Sequence, residues 1–259
     1  MTKRALVFIS FGTAHLDALG AIEHLEKNIS ASMENVDIFR AFTSRIVIRK
    51  LAEEQNLVIK TPAEVMDELV QNGYESVLCQ TLHVIPGIEY EKMAAELLTY
   101  RESFSTFQIS RPLLSAQADY EESAQAICSM IPFRTDEEAI VLMGHGTPHF
   151  ANAAYCQLEN TFRFLGEEHV YVGTVDGFPG IEYILSRLKT RGIKTVYLMP
   201  FMIVAGDHAK NDLAGESPDS WKSILEASGF HTLPILTGLG ELEQIGEIFI
   251  RHLKEAEQV

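Results

Sequence analysis

The stretch TVYLMPFMIVAGDHAKNDLAG, residues 195–215, passes from a long apolar run into a Gly206-Asp207-His208 corner and then a polar, helix-compatible tail. A continuous apolar run closed by a glycine corner predicts a strand buried on both faces that feeds a helix, the βα unit of a parallel sheet. A second stretch, SVLCQTLHVIPGIEYEKMAAE at 76–96, can be laid on it with Gly87 on Gly206. Val77 then meets Val196, Leu82 meets Phe201, Ile85 meets Val204 and Ala95 meets Ala214, and Glu89 falls on His208. The strand-end signals also pair, Ser10-Phe11-Gly12-Thr13 with Gly144-His145-Gly146-Thr147. The two halves of the chain therefore read as copies of one plan.

Working outward, strand-like and helix-like patterns alternate. Strands are predicted at 4–10, 36–42, 76–83, 106–114, 139–144, 170–175, 195–203 and 231–236. Helices are predicted at 17–33, from Thr61-Pro62-Ala63-Glu64 onward, and at 89–103, 117–130, 150–165, 181–191 and 242–255, with short helices around Trp221. Thr61 with Glu64 three residues on is a capping-box signature, and Pro62 suits the first helical turn. Such alternation predicts an α/β fold of two similar doubly wound lobes with parallel sheets, 1–132 and 133–259. Ligands in such folds bind beyond the carboxyl ends of the strands, which places the active site in the cleft between the lobes.

The chain has 259 residues and a net charge of −15, with 46% hydrophobic residues. That balance disfavours nucleic acid and anionic membrane surfaces, both of which select Lys and Arg. No apolar run is long enough to span a bilayer, and the N-terminus lacks a signal-peptide pattern. Cys79, Cys128 and Cys156 form no Cys-x-x-Cys and read as core residues of a cytoplasmic protein. A homo-oligomer is compatible with this composition.

Four side chains at strand ends carry potential chemistry. His145 sits between two glycines, which permit a tight turn and close ligand approach; the plainer alternative is a strand-end histidine bonded to a neighbouring carbonyl. Asp207 reads as a helix N-cap, which leaves His208 unexplained. Glu89 suits a helix first turn, but its match to His208 gives it a second reading. Asp176, in GTVDGFPG, is ordinary turn chemistry or a further ligand. His83, near its strand end, can line the same cleft. His149 reads as a helix-start residue, and His15, His24, His169, His231 and His252 as surface or packing residues. Two imidazoles and two carboxylates without thiolate suit Co, Ni, Fe or Zn, and their wide spacing is unlike a structural zinc site. A metal held loosely, in transit, fits this set.

Taken together, SFGT, DIFRAFTSRIVIRKL, LHVIPGIEYEKM, MGHGTPHFANAAY and LMPFMIVAGDHAKND resemble the anaerobic cobaltochelatases of the CbiK type, class II tetrapyrrole chelatases related in fold to ferrochelatase. The resemblance runs over essentially the whole chain. It implies ATP-independent insertion of Co2+ into sirohydrochlorin in cobalamin biosynthesis, with the metal as substrate. It further implies that His145 and His208 bind the metal, that His145 accepts pyrrole protons, and that Glu89 takes part. Asp176 matches a position where the family commonly has Glu, so its oxygen is drawn back by one methylene. Ser10, Phe11, Gly12, Arg45 and His83 are the candidate contacts to the macrocycle. Arg40, Arg45, Arg49 and Lys50 form the densest basic cluster, and Arg45 is the candidate partner of the ring's peripheral carboxylates.

Three other readings compete. Ni2+ or Fe2+ insertion into the same macrocycle is the near variant. A tetrapyrrole, haem or metal carrier would use the same cleft without turnover, with His83 available to a haem iron. A two-lobe solute binder is disfavoured by the absent signal peptide.

Overall fold

The apolar runs form two sheets of four parallel strands each. In the computed structural model, which describes residues 3–130 and 135–256, the first sheet contains β1 (Arg4–Ser10), β2 (Asp37–Phe42), β3 (Ser76–Thr81) and β4 (Thr106–Ile109), in the order β2-β1-β3-β4. The second contains β5 (Glu138–Gly144), β6 (Val170–Thr174), β7 (Thr195–Pro200) and β8 (His231–Pro234), in the order β6-β5-β7-β8. The two orders are the same. After their first residue, β1 and β5 are buried throughout, as central strands covered on both faces must be.

The copy extends to single hydrogen bonds. Leu82 N–H donates to Ile9 O at 2.8 Å, and Phe201 N–H donates to Met143 O at 2.7 Å. Thr43 N–H donates to Ser10 O at 2.9 Å, and Val175 N–H to Gly144 O at 3.1 Å. The alignment of Leu82 with Phe201 is thus a structural equivalence. Some predicted strands end early: β3 stops at Thr81, β4 at Ile109 and β7 at Pro200. At Pro200 the ring supplies no N–H for the ladder, and the chain leaves the sheet one residue later.

Two compact units result, Met1–Ser115 with Gly246–Val259, and Ala116–Ile245. The expected division at 132/133 lies outside the described residues. Helix α5 (Gln117–Cys128) packs on α6 (Ala153–Phe164) within the second unit. Of the closing helix α9 (Glu243–Lys254), the part from Gly246 onward belongs to the first unit, with Gly246 against Leu25 of α1 (Leu16–Ser30).

Local signals behave as their chemistry dictates. The Thr61–Glu64 capping box forms at the start of α3 (Pro62–Gln71), and its hydrogen bonds hold the Glu64 carboxyl below the usual carboxylate range. Helix α2 (Arg45–Gln55) is capped by Ser44, whose Oγ accepts from Val47 N–H, and ends at Asn56 in the left-handed region. The pentapeptide Pro-Gly-Ile-Glu-Tyr occurs twice, at 86–90 and 179–183. Each time its glycine, in the same extended conformation, starts a helix, α4 (Ile88–Leu98) and α7 (Ile181–Arg191). These helices follow β3 and β6, which are not equivalent strands, so local identity fixes a helix start without fixing topology. Cys79 is buried, Cys128 partly buried and Cys156 exposed, which corrects the expectation of three core cysteines: α6 turns position 156 away from its buried face.

Candidate metal centre

In the order β6-β5-β7-β8 the chain reverses direction across the sheet between β5 and β7, so the crevice for a ligand opens at their carboxyl ends. His145 follows β5, and His208 lies eight residues beyond β7. Their rings stand edge to face with centroids 4.7 Å apart.

The Gly-His-Gly sequence is set by its surroundings. A Cβ on Gly144 would lie 2.2 Å from the ring of Tyr155 of α6. Tyr155 is buried, and burial pushes its hydroxyl up to about 12, opposed by hydrogen bonds from the backbone of Gly146 and His145. Gly146 has φ +84°, and a Cβ there would meet Thr174 Cβ at 2.7 Å and the Asp176 carbonyl carbon at 2.8 Å. Asp176 N–H donates to His145 O at 2.8 Å, so the ends of β5 and β6 are laced together and only glycine fits.

The orientation of both imidazoles follows from what their Nδ1 atoms touch. His145 Nδ1 lies 3.0 Å from Gly146 O. A carbonyl can only accept, so Nδ1–H donates and the ring lone pair sits on Nε2. His208 Nδ1 lies 2.6 Å from Asp212 Oδ2, which fixes the same tautomer there. An imidazole whose Nδ1–H is held by a carboxylate or carbonyl is the usual arrangement of a metal-ligating histidine. Asp212 was missed in the sequence; its signal was the i,i+4 spacing from His208, which places two side chains on one helical face. That face is a π turn, Ala209–Leu213, closed by Ala214 N–H donating to Ala209 O at 3.2 Å, a distortion frequent at functional sites. Asp207 is not the cap: it lies within the first turn, and its Oδ1 accepts from Asn211 Nδ2 at 3.0 Å.

Asp176 Oδ2 is 3.9 Å from His145 Nδ1, beyond hydrogen-bond reach, and 63% of its side chain is exposed. Its loop is tied to that of His145 by Asn152, whose Oδ1 accepts from Thr147 N–H at 3.0 Å and whose Nδ2 donates to Phe178 O at 2.6 Å. Among the described residues no group of three or more His, Cys, Asp or Glu side chains is arranged to hold a metal ion. The second unit therefore brings together two histidines with Asp212 and Asp176 beside them, short of a closed cage.

In the first unit, Glu89 and Arg45 line one small cavity of about 190 Å3 with Thr43 and Lys92. Glu89 stands in the first turn of α4, 3.5 Å from Lys92 Nζ. Arg45 opens α2 just beyond the carboxyl end of β2. Ser10 is buried at the end of β1, Phe11 is exposed, and Gly12, at φ +90°, lies against the Phe42 ring. Arg40 leaves the basic cluster, since Glu26 takes its guanidinium at 2.8 and 2.5 Å. His149 accepts from Ala151 N–H at a helix start, as expected.

His83 is held by Thr81 Oγ1 at Nδ1, and its Nε2 is buried without a partner. Burial lowers its pKa to about 4. The unfolded chain binds a proton there below about 6.5. Between those values the unfolded state holds more protons, so stability is full above about pH 6.5 and is lost as pH falls toward 4. Urea unfolding of wild type against His83→Gln should show wild type losing stability faster over that window; parallel curves would contradict the burial.

The sequence model of the family described as "Cobalt chelatase (CbiK)" matches residues 4–258. The chain belongs to the CbiK cobalt chelatase family. It is 40% identical to the sirohydrochlorin cobaltochelatase of Salmonella typhimurium, over 98% of this chain and 96% of that protein. It is 35% identical to the sirohydrochlorin cobaltochelatase CbiKC of Nitratidesulfovibrio vulgaris, over 99% and 91%. Among solved structures, SirB from Bacillus subtilis with Fe3+ aligns with a TM-score of 0.66 at 12% identity, over 98% of this chain and 95% of that one. CbiX, the terminal enzyme for biosynthesis of sirohaem in denitrifying bacteria, aligns with a TM-score of 0.56 at 15% identity, over 98% and 100%. At those identities the likeness concerns the fold, a chelatase α/β plan.

Proposed function

We propose that this CbiK-family chelatase inserts Co2+ into sirohydrochlorin, with His145 and His208 presenting the metal and His145 receiving pyrrole protons. The observation that carries the reading is the pair of imidazoles at the carboxyl ends of β5 and β7, each with Nδ1 engaged and its lone pair on Nε2. Family membership and two sirohydrochlorin cobaltochelatase relatives at 40% and 35% identity supply the substrate.

The reaction exchanges two pyrrole protons for one Co2+, so no redox partner or nucleotide is required. His145 Nε2, freed as the metal passes to the ring, takes one proton, and the other goes to Glu89 or to solvent. A base beside the metal lowers the barrier to N–H loss. Two neutral nitrogen ligands bind a first-row dication firmly enough to orient it but leave it able to depart to the macrocycle, which a closed cage of three or four ligands would resist. Asp212, holding His208 at Nδ1, fixes the orientation of its ring and keeps Nε2 free for the metal. Asp176, at 3.9 Å from His145, is placed to stabilise the imidazolium once a proton arrives. Glu89 is proposed to assist proton removal, and Phe11, Gly12 and His83 to contact the ring.

Arg45 is proposed to hold a peripheral carboxylate of the ring. Arg45→Ala is expected to raise KM for sirohydrochlorin about tenfold, with kcat little changed, since it removes binding shared by ground and transition states. An unchanged KM removes Arg45 from the site. The three unpaired cysteines support placing the reaction in the cytoplasm. No helix among the described residues is long and apolar enough to cross a membrane.

Anaerobic assays with Co2+ at catalytic protein amounts test turnover. Many equivalents of product support the enzyme, whereas one equivalent per chain would indicate a carrier. Parallel arms with Ni2+ and Fe2+ rank the metals.

A further inference from the structure

Strand β6 is an edge of the second sheet, and helices α6 and α7 flank it around a cavity of about 370 Å3. Arg163 of α6, Arg187 and Arg191 of α7, and Tyr171 of β6 line it, with Glu168. We propose that this cavity is a binding site for a small oxyanion, phosphate or carboxylate in class, separate from the metal centre.

The charge balance comes first. Glu159, buried, accepts from Arg163 and Arg187 together, the latter at 2.7 Å, and also from Val172 N–H at 2.9 Å. One carboxylate facing two guanidiniums leaves this group a full positive charge in excess. Arg191 is matched by Glu168 at 3.1 Å. A surplus cation lining a partly enclosed cavity, in a chain of net charge −15, is not the by-product of a basic surface. An anion would complete it.

The second observation is Tyr171. Its side chain is 1% exposed, and its hydroxyl is buried without a hydrogen-bond partner. A buried donor left unmade is costly, and its place in the cavity lining gives it an acceptor if an oxyanion enters. Third, Arg187 is fixed in advance: its guanidinium lies 4.7 Å over the Tyr171 ring and 5.5 Å from that of Tyr183. Stacked and ion-paired, it keeps further donors of its fork for a ligand and loses little freedom on binding. Arg163 and Arg191 alone could be basic residues complementing helix C-termini. That does not account for Arg187 or for the Tyr171 hydroxyl. None of the residues lining this cavity is His145, Asp176, His208 or Asp212, so the cavity is not part of the metal centre.

Thermal unfolding and calorimetry of the full chain, with inorganic phosphate in one arm and malonate in the other, test the proposal at constant ionic strength. Wild type should gain Tm with phosphate or malonate concentration, and the stronger arm identifies the anion. Tyr171→Phe, which removes only the hydroxyl, and Arg191→Ala, a half-exposed position, should each weaken binding about tenfold with cobalt insertion unchanged. Absence of any Tm gain in wild type, or gains in both variants as large as that of wild type, overturns the site.

Discussion

Replacing His208 or His145 with alanine is expected to lower the rate of cobalt insertion by about 100-fold or more. The two losses should differ in kind. His208→Ala removes a metal ligand, so its defect should shrink as Co2+ is raised. His145→Ala removes a ligand and also the proton acceptor, worth about 10²–10⁴ on its own, so its defect should persist at saturating Co2+. Asp212→Asn keeps the His208 ring but exchanges its carboxylate partner for an amide, and a loss of about 10–100-fold in metal affinity is the usual consequence. Sirohydrochlorin binding, followed by the quenching of protein fluorescence, should stay near wild type in all three. Steady-state assays across Co2+ concentration separate these outcomes, and wild-type activity in either histidine variant removes that residue from the centre.

Gly146→Ala should also abolish most activity, for a backbone reason. At φ +84° an alanine pays about 1–2 kcal/mol of left-handed strain, and its Cβ would sit 2.8 Å from the carbonyl carbon of Asp176. Backbone cannot yield as a flexible side chain can, so the loop must move and carry His145 with it. A displacement of about 1 Å can cost about 100-fold in rate. Gly166→Ala is the control: its φ is +89°, yet a Cβ there meets nothing within 4 Å. Both variants should lose comparable stability from strain, Gly146→Ala somewhat more, but only Gly146→Ala should lose cobalt insertion. Equal activities would show that the lacing of β5 to β6 is not what positions His145.

Much of this was legible in the chain because the fold repeats itself. Aligning Gly87 with Gly206 placed equivalent strands together, and the two sheet orders agree with it. His145 could be found because glycines on both sides of a histidine at a strand end mark close packing, here against Tyr155 and the end of β6. Helix α2 was harder to read: it buries only Leu51, so its apolar stripe is thin. Asp212 was hidden for another reason. The pairing with His208 depends on the turn that 207–213 adopts, and that segment departs from regular α-helix where the ring and carboxylate meet. Arg40 was legible as a cation but not as one already neutralised, because Glu26 comes from a different element of the chain. Long-range pairing of charges is set by packing, which periodicity does not encode.

The central claim is that one Co2+ is held by the imidazoles of His145 and His208 before it passes to the macrocycle. X-ray absorption at the cobalt edge, on the protein loaded with one equivalent of Co2+ without sirohydrochlorin, tests it directly. Two imidazole nitrogens in the first shell of wild type, falling to one in His145→Ala and in His208→Ala, is the predicted result. A shell of oxygen alone, or one that either substitution leaves unchanged, would contradict it.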